Sequence, residues 1–515
     1  MSTTMDSHFD VLLLGTGLTE SITAAALAKA GLKVAHVDTN SYYGADQASL
    51  AHDELLQWSH SPPSSRYSNF SSSSEEPLPS SRSYSLSLSP ALIPSAGPLI
   101  TALILSGVSR YGQFKLLDAV YIHRDGGLKR VPGNKEDVFK ARDVSLVDKR
   151  KLMRFLQFAA GEFEERPELE GQENTPLGDF MREKFSLGEE AREAIMYALA
   201  YCSSSSDPTL PALLRLRGYL RSAGRYGNSP FLVGHYGGLG ELAQGFCRTC
   251  AVKGGVYILG RKIISLRLPS DAAAEAGRAS IELENVPDVL TADLVITSQD
   301  YLTDSSLSQP DTRSNCACAI AIVDRPISFP LPLTAQPPRE ENGTEDERAA
   351  SDRGAHPDTA VVVFPPGALP AGGAPNAVRV LQMGEDTLSC PRGKYIIYAW
   401  TQVSELAGTP EELLRPYLSA LTSTTIPENG RTTSIEFSVF YSQREGNVVP
   451  TVSHPRTLLV PPLLSTLSEI ADQSTRDAED LFWDAVRQLG RGDDEIEAFW
   501  PPAEPVDEDT SDDWE

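Results

Sequence analysis

A chain of 515 residues with 45 basic and 70 acidic side chains carries a net charge of −25, which argues against a nucleic-acid backbone as its main partner. Its hydrophobic content of 41% suits a globular protein long enough for two or three domains, and no run of about 18 apolar residues is present to span a bilayer. Six cysteines are too few for a disulfide-stapled scaffold and fit a reducing compartment; with the polar N-terminus MSTTMDSHFD, they lead us to expect a cytoplasmic protein.

In chain order, Phe9 to Leu14 (FDVLLL) reads as a buried parallel strand and Gly15-Thr-Gly17 as a tight turn. Thr19 to Ala30 reads as a helix, with Ile22, Ala25, Ala26 and Ala30 at helical spacing, and Val34 to Val37 as a second strand ending at Asp38. This is the order of a dinucleotide-binding unit, which carries an acidic residue about twenty positions after the glycine turn. The third glycine of G-x-G-x-x-G would fall at position 20, which is Glu20. A carboxylate there is stabilised by the helix dipole and takes the space and positive potential that a pyrophosphate needs. Gly15, Gly17, Glu20 and Asp38 are therefore read as a degenerate motif on a scaffold without a cofactor.

Residues 1–134 form the first part of this dinucleotide-type domain, and the serine- and proline-dominated stretch 60–90 within it reads as a disordered insertion. Leu99 to Val108 reads as a helix, Leu116 to Ile122 as a strand and Asp125-Gly126-Gly127 as a hairpin turn. Residues 135–224 read as an inserted all-helical domain. Its apolar stripes are Leu152, Phe155, Leu156 and Ala159, then Leu177, Phe180, Met181 and Phe185, then Ile195, Leu199 and Cys202. A bundle core and a lipid cavity would show the same stripes.

Residues 225–500 return to the larger domain. Expected there are a helix at Glu241–Lys253, strands at Val256–Leu259, Ala292–Ser298, Ala360–Phe364, Val378–Met383, Tyr395–Gln402, Ile435–Tyr441 and Leu458–Val460, and a closing helix at Asp477–Leu489. Residues 331–358 read as a loop insertion and 501–515 as an acidic, disordered tail.

No G-x-S-x-G elbow, H-E-x-x-H pair or complete phosphate loop is present, and the histidines are scattered, so no catalytic residue is nominated. His36, inside an apolar strand, reads as a core histidine. Cys247 and Cys250 (C-x-x-C) with Cys316 and Cys318 (C-x-C) could in principle hold zinc, but Cys247 and Cys250 have apolar helical neighbours that favour buried thiols; no metal is expected. Glu241 and Arg248, about two helical turns apart, share one face and offer a partner anchors of opposite sign, or are ordinary surface charges.

The segments FDVLLLGTGLTES, HVDTNSYYG, VSRYGQFKLLDAVYI, LVDKRKLMRFLQF, GRYGNSPFLVGHYGGLGELAQGF and GGVYILG resemble, in order, the Rab GDP-dissociation inhibitor and Rab escort protein superfamily. HVDTNSYYGADQASL and FCRTCAV are closer to the escort branch, and Ala45 stands where both branches usually carry glycine.

The resemblance implies an α/β, FAD-oxidase-like domain without a cofactor and a helical second domain, in a protein that is not itself an enzyme. It implies GDP-bound Rab GTPases as partners, met by a platform that carries over to Tyr43, Glu241, Gln244 and Arg248, with weaker matches at Val256 and Ile258. Glu241 and Arg248 would make charge-assisted pairs, and Tyr43 would supply packing area.

The helical domain would shelter a geranylgeranyl group, with Phe155, Phe158, Ile195 and Leu199 as candidate walls. It would also dock the Rab geranylgeranyltransferase catalytic heterodimer, with Phe180 and Arg182 as expected contacts. The implied role is to present GDP-Rab for prenylation and deliver the product, with transient membrane contact. A Rab GDP-dissociation inhibitor and a flavoprotein oxidoreductase are the alternatives.

Overall fold

The computed structural model describes residues 7–62, 64, 66–132, 145–269, 277–302, 315–330, 356–369, 373–403, 408–423, 432–444, 456–462, 466–492 and 496–501. The chain opens with β1 (His8–Leu14), α1 (Leu18–Lys29) and β2 (Val34–Asp38), then β3 (Ser49–Leu50), α2 (His52–His60), β4 (Tyr67–Ser72), β5 (Leu86–Ser87), β6 (Ile93–Pro94) and α3 (Pro98–Ser106). β7 (Phe114–Leu116), β8 (Ala119–Arg124) and β9 (Gly127–Arg130) precede four helices, α4 (Leu146–Ala160), α5 (Leu177–Phe185), α6 (Glu189–Glu193) and α7 (Thr209–Ser222). Next come β10 (Phe231–Gly234), α8 (Leu239–Val252), β11 (Val256–Leu259), β12 (Ile263–Arg267), β13 (Ala279–Leu283) and β14 (Leu290–Thr297). The rest is β15 (Asn315–Val323), β16 (Ala360–Phe364), β17 (Val378–Met383), β18 (Tyr395–Val403), α9 (Pro410–Ser423), β19 (Ile435–Arg444), β20 (Thr457–Leu459) and α10 (Ile470–Gln488).

Two large sheets organise these elements. The first has the order β11-β2-β1-β14-β13-β12, with β20 also paired to β14. β11, β2, β1, β14 and β20 run parallel, while β12 and β13 join them antiparallel. α1 lies on one face, packed against α8 and α10. Its buried residues include Ala24, Ala25, Ala26 and Ala28, which are small enough to let the helix sink between its neighbours.

The second sheet has the order β4-β19-β15-β18-β17-β16-β8-β9 and is antiparallel except at β16–β8. α4, α5 and α7 contribute to the same apolar cluster as one face of this sheet, which joins Phe155, Phe180 and Leu213 to Ile320, Leu381 and Tyr398. α9 covers the other face through Leu414, Tyr417, Leu418 and Leu421.

Three expectations need correction. The serine-rich stretch is not a disordered insertion where it is described: Tyr67–Ser72 is an edge strand paired with β19. The rings of Tyr67 and Phe70 pack on Trp58 at 4.8 and 5.2 Å, and Tyr84 is buried, so a few aromatic anchors hold a segment that is polar on average. The strand expected at Leu116–Ile122 is two strands, β7 and β8. The third apolar stripe of the expected helical domain, Ile195 and Leu199 with Cys202, does not continue α6 as an α-helix: Ala194–Leu199 is a π-turn. Residues 331–355 of the expected loop insertion and 502–515 of the tail lie outside the described residues.

Candidate functional site

Around the Gly15–Gly17 turn the polar groups are turned inward. The Glu20 side chain folds back over the turn: a Cβ placed on Gly17 would lie 2.5 Å from one Glu20 carboxylate oxygen, and one on Gly15 would lie 3.3 Å from the other. The Leu18 amide at the helix start donates to Gln47 Oε1 at 3.3 Å. Asp38 accepts from the Thr16 amide and hydroxyl, the Asn40 amide and the Tyr301 hydroxyl, at 2.8, 2.6, 2.8 and 3.1 Å.

A dinucleotide needs these same groups, the helix-end amides for its pyrophosphate and the acidic residue for its ribose. Both are engaged, and Glu20 fills the cradle, so FAD does not fit the residues present. The expectation of a dipole-stabilised carboxylate is corrected in one respect: burial outweighs the helix end and pushes the Glu20 carboxyl up to about 7.

His36 is wholly buried beneath this turn. Its Nε2 donates to the Gly15 carbonyl and its Nδ1 accepts from the Tyr257 hydroxyl at 3.1 Å, a tautomer assigned from these partners. Burial pushes its imidazole down to about 4.

Beside the turn, α8 presents a divided face. Leu242, Ala243, Phe246, Cys247 and Cys250 are buried, while Glu241, Gln244 and Arg248 are exposed along one side. The Glu241 and Gln244 side chains have no hydrogen bond or ion pair among the described residues. The Arg248 guanidinium lies over the exposed ring of Tyr111, 4.5 Å from its centroid. Tyr111 was not singled out from the sequence, although its segment VSRYGQFK carried part of the resemblance.

Tyr43 reaches the same region from the loop after β2, half-buried, with its ring 6.2 Å from that of Tyr257. The loop approaches α8 closely: a Cβ on Gly44, whose φ is +98°, would lie 3.2 Å from Gly240 Cα and 3.0 Å from Ala48 Cα. Ala45, next in the chain, holds a φ of 45°, the region that favours glycine.

Val256 and Ile258 are not brought to this face. On β11 they pack with Leu12, Ala35 and Val37 on the opposite side of the sheet, whereas Tyr257 between them packs with the α1–α8 side. Strand alternation separates the two sets.

In the helical region, Phe155, Phe163, Phe180 and Phe185 are buried and Phe158 is half-buried. Phe158 meets Phe163, Phe180 and Phe185 at centroid distances of 5.9, 6.0 and 5.2 Å. Ile195 and Leu199 are buried in the π-turn. Phe180 is wholly buried, so it is not a surface contact for the transferase; the α5 stripe turns it into the aromatic cluster. Arg182 is exposed and pairs with Asp179 at 2.8 Å.

All six cysteines are buried thiols, and no group of three His, Cys, Asp or Glu side chains is placed to hold a metal among the described residues. No helix among the described residues is long and apolar enough to cross a membrane.

Residues 5–331 match the family model "GDP dissociation inhibitor". The chain is 29% identical over 406 residues to Rab proteins geranylgeranyltransferase component A of Saccharomyces cerevisiae, covering 77% of this chain and 62% of that one. It is 35% identical to the component A of Drosophila melanogaster over 52% of this chain and 56% of that one. A probable secretory pathway GDP dissociation inhibitor 1 of Schizosaccharomyces pombe is 31% identical, over 63% of this chain and 70% of that one. The match thus spans about three fifths of the length of the two component A relatives.

Among solved structures, a Rab GDI from Plasmodium falciparum superposes with a TM-score of 0.66 at 19% identity, covering 93% of this chain and 98% of that one. An oxidoreductase from Methanosarcina mazei gives 0.53 at 13% identity, covering 92% and 100%. At these identities the structural likeness speaks for the fold alone, an α/β FAD-oxidase type with an inserted helical region.

Proposed function

The chain belongs to the GDP dissociation inhibitor family, within the Rab inhibitor and escort superfamily, and on that premise we propose that it is a Rab escort protein. In this role it binds GDP-loaded Rab GTPases, offers their C-terminal cysteines to the geranylgeranyltransferase heterodimer, and carries the prenylated product to a membrane. The observation that carries the reading is the exposed row Glu241, Gln244 and Arg248 on α8, set beside Tyr43. The likeness to component A proteins favours the escort role over the inhibitor role.

The row offers a carboxylate, an amide and a guanidinium without requiring any of them to leave a strong internal partner. Charge-assisted hydrogen bonds, accepted by Glu241 and donated by Arg248, would fix register with switch-region groups of the GTPase, and Tyr43 would add area with little entropy to lose. Arg248 is pre-oriented by the Tyr111 ring, so Tyr111 joins the proposed platform.

The helical region is proposed to hold the geranylgeranyl group, whose transfer out of water is worth about 0.8 kcal/mol per CH₂. Phe155, Phe158, Ile195 and Leu199 remain the candidate walls, with entry beside half-buried Phe158, where α4 and α5 would part.

Reconstitution tests this reading. Purified protein is mixed with unprenylated GDP-Rab, transferase and geranylgeranyl diphosphate, and prenylation is followed by mass. Stimulated prenylation is the expected outcome; failure to stimulate it, with extraction of prenylated Rab from membranes, would establish the inhibitor role instead.

A further inference from the structure

The N-terminal half of α4 runs against the charge of the chain. The whole carries −25, yet α4 has four basic residues, Lys149, Arg150, Lys151 and Arg154, against one acidic residue, Asp148. Asp148 is itself engaged, by Lys151 at 3.6 Å and by the Ser145 hydroxyl at 2.7 Å. Beyond the other end of the helix, Glu162 pairs with Arg217 and Arg221 of α7, and Glu164 with Arg217. The α5 charges cancel: Asp179 pairs with Arg182, and Glu183 is followed by Lys184. The positive end of a helix offers nothing to cations, so the basic residues behind the first turn of α4 are not there for the helix's own stability.

The same end carries apolar side chains turned to water. Leu146 and Val147, in the first turn, are 76% and 59% exposed. Leu146, Arg150 and Arg154 follow at four-residue steps and lie on one side of the helix, where both arginines are exposed. Phe155 and Ala159 are buried on the other side. The outward side therefore has an apolar tip and a row of guanidiniums.

This row runs toward the proposed entry of the prenyl site. The Arg154 guanidinium lies 5.4 Å from the ring centroid of Phe185, and Phe185 meets half-buried Phe158 at 5.2 Å. Only about 18 Å of helix separates Leu146 from Phe158. An anionic lipid surface meets both parts of the pattern at once, with phosphates and carboxylates for the guanidiniums and a hydrocarbon layer just beneath for the tip.

We propose that the N-terminal half of α4 is a docking surface for an anionic lipid bilayer. Leu146 and Val147 enter the headgroup region, and Arg150 and Arg154 lie on lipid phosphates and carboxylates. This deepens the reading of the chain as a carrier of prenylated Rab and rests on it for its purpose: a prenyl group released beside Phe158 would then leave the protein next to the membrane it enters. The acidic remainder of the surface is repelled by the same bilayer, which fixes the orientation of approach.

Cosedimentation of the full chain with vesicles tests the proposal. Partitioning onto phosphatidylcholine and phosphatidylserine mixed about two to one is expected to be about tenfold stronger than onto phosphatidylcholine alone, and to weaken with added salt. Joint Arg150→Gln and Arg154→Gln changes lower it about tenfold, and joint Leu146→Gln and Val147→Gln changes about fivefold, with melting temperatures close to the parent's because all four positions are exposed. No saturable partitioning onto the anionic vesicles, equal partitioning onto neutral ones, or unchanged partitioning in both folded variants would overturn it. Loss of transferase binding in the variants with vesicle binding unchanged would also overturn it and make this a protein-docking face. The vesicle assay contains neither Rab nor transferase, so it can fail while stimulated prenylation stands, and the escort reading can fail while vesicle binding stands.

Discussion

At the Gly15–Gly17 turn, Asp38, the first amide of α1 and His36 all have partners inside the chain, and Glu20 is shut in above them. On the outer side of α8, Glu241, Gln244 and Arg248 face solvent. The two regions are close: Ser21 of α1 meets Cys247 of α8 at 3.2 Å. The difference is that the polar groups of the first region are engaged by internal partners, whereas the Glu241 and Gln244 side chains have no hydrogen bond or ion pair among the described residues. Here the place where an oxidase would hold a cofactor is closed, and the surface next to it is open.

Charge reversal at Arg248 or Glu241 is expected to weaken GDP-Rab binding by about 3 kcal/mol, roughly a hundredfold in Kd, with an unchanged melting temperature. Unaltered affinity in both folded variants, measured by titration with a fluorescent-nucleotide Rab, would remove the row from the interface.

The closed side predicts a pH effect of about the same size, read in stability rather than binding. The Glu20 carboxyl is raised from 4.5 to about 7, so its contribution is full below pH 4.5 and is lost as pH rises through 7. The difference amounts to about 3 kcal/mol. His36 is lowered from 6.5 to about 4, so its contribution is full above pH 6.5 and is lost as pH falls through 4. Between pH 4.5 and 6.5 the two slopes oppose each other. Glu20→Gln should therefore stabilise the protein at pH 8 and uncover acid lability that urea unfolding at pH 5 would register. An identical pH profile for variant and parent would mean that Glu20 is not sealed.

Smaller effects test how the two sides are joined. Gly44→Ala places a side chain at a φ of +98° against Gly240 and should cost about 2 kcal/mol of stability while weakening Rab binding. Tyr257→Phe removes the hydroxyl that donates to His36 and should cost about 1 kcal/mol, with Rab affinity within about twofold of the parent. A large loss of Rab affinity in Tyr257→Phe would place that hydroxyl in the interface itself.

Much of the fold was legible because the central strands are buried on both faces. Ala360–Phe364 is a continuous apolar run, and Val378–Met383 is apolar apart from Arg379 and Gln382; both have the ends that hydrophobic patterning assigns them. β4 was hidden because composition averages over a window, and the anchors Tyr67 and Phe70 are diluted by serine. β15 is less legible because its first half after Asn315, Cys316 to Ala319, is built of cysteine and alanine, small residues without a strand preference, although the strand is apolar and buried. The π-turn at Ala194–Leu199 shares its apolar residues with an α-helical reading, so spacing could not separate the two.

The face of α8 shared by exposed Glu241 and Arg248 was readable from seven-residue spacing. The exclusion of Val256 and Ile258 from it was not, because alternation tells which strand residues share a face but not which face meets a given helix. Phe180 was misplaced for a similar reason: an apolar stripe looks the same whether it meets its own core or a partner.

The Gly44 amide donates to both the carbonyl and the hydroxyl of Thr16, at 3.0 and 3.1 Å, so the loop that carries Tyr43 is fastened to the old glycine turn. A partner landing on Tyr43 meets a backbone whose torsional freedom was surrendered when the chain folded. In the proposed Rab complex, association would cost little in ordering this loop. The closed cofactor cradle thus acts as a stiffener for its neighbour.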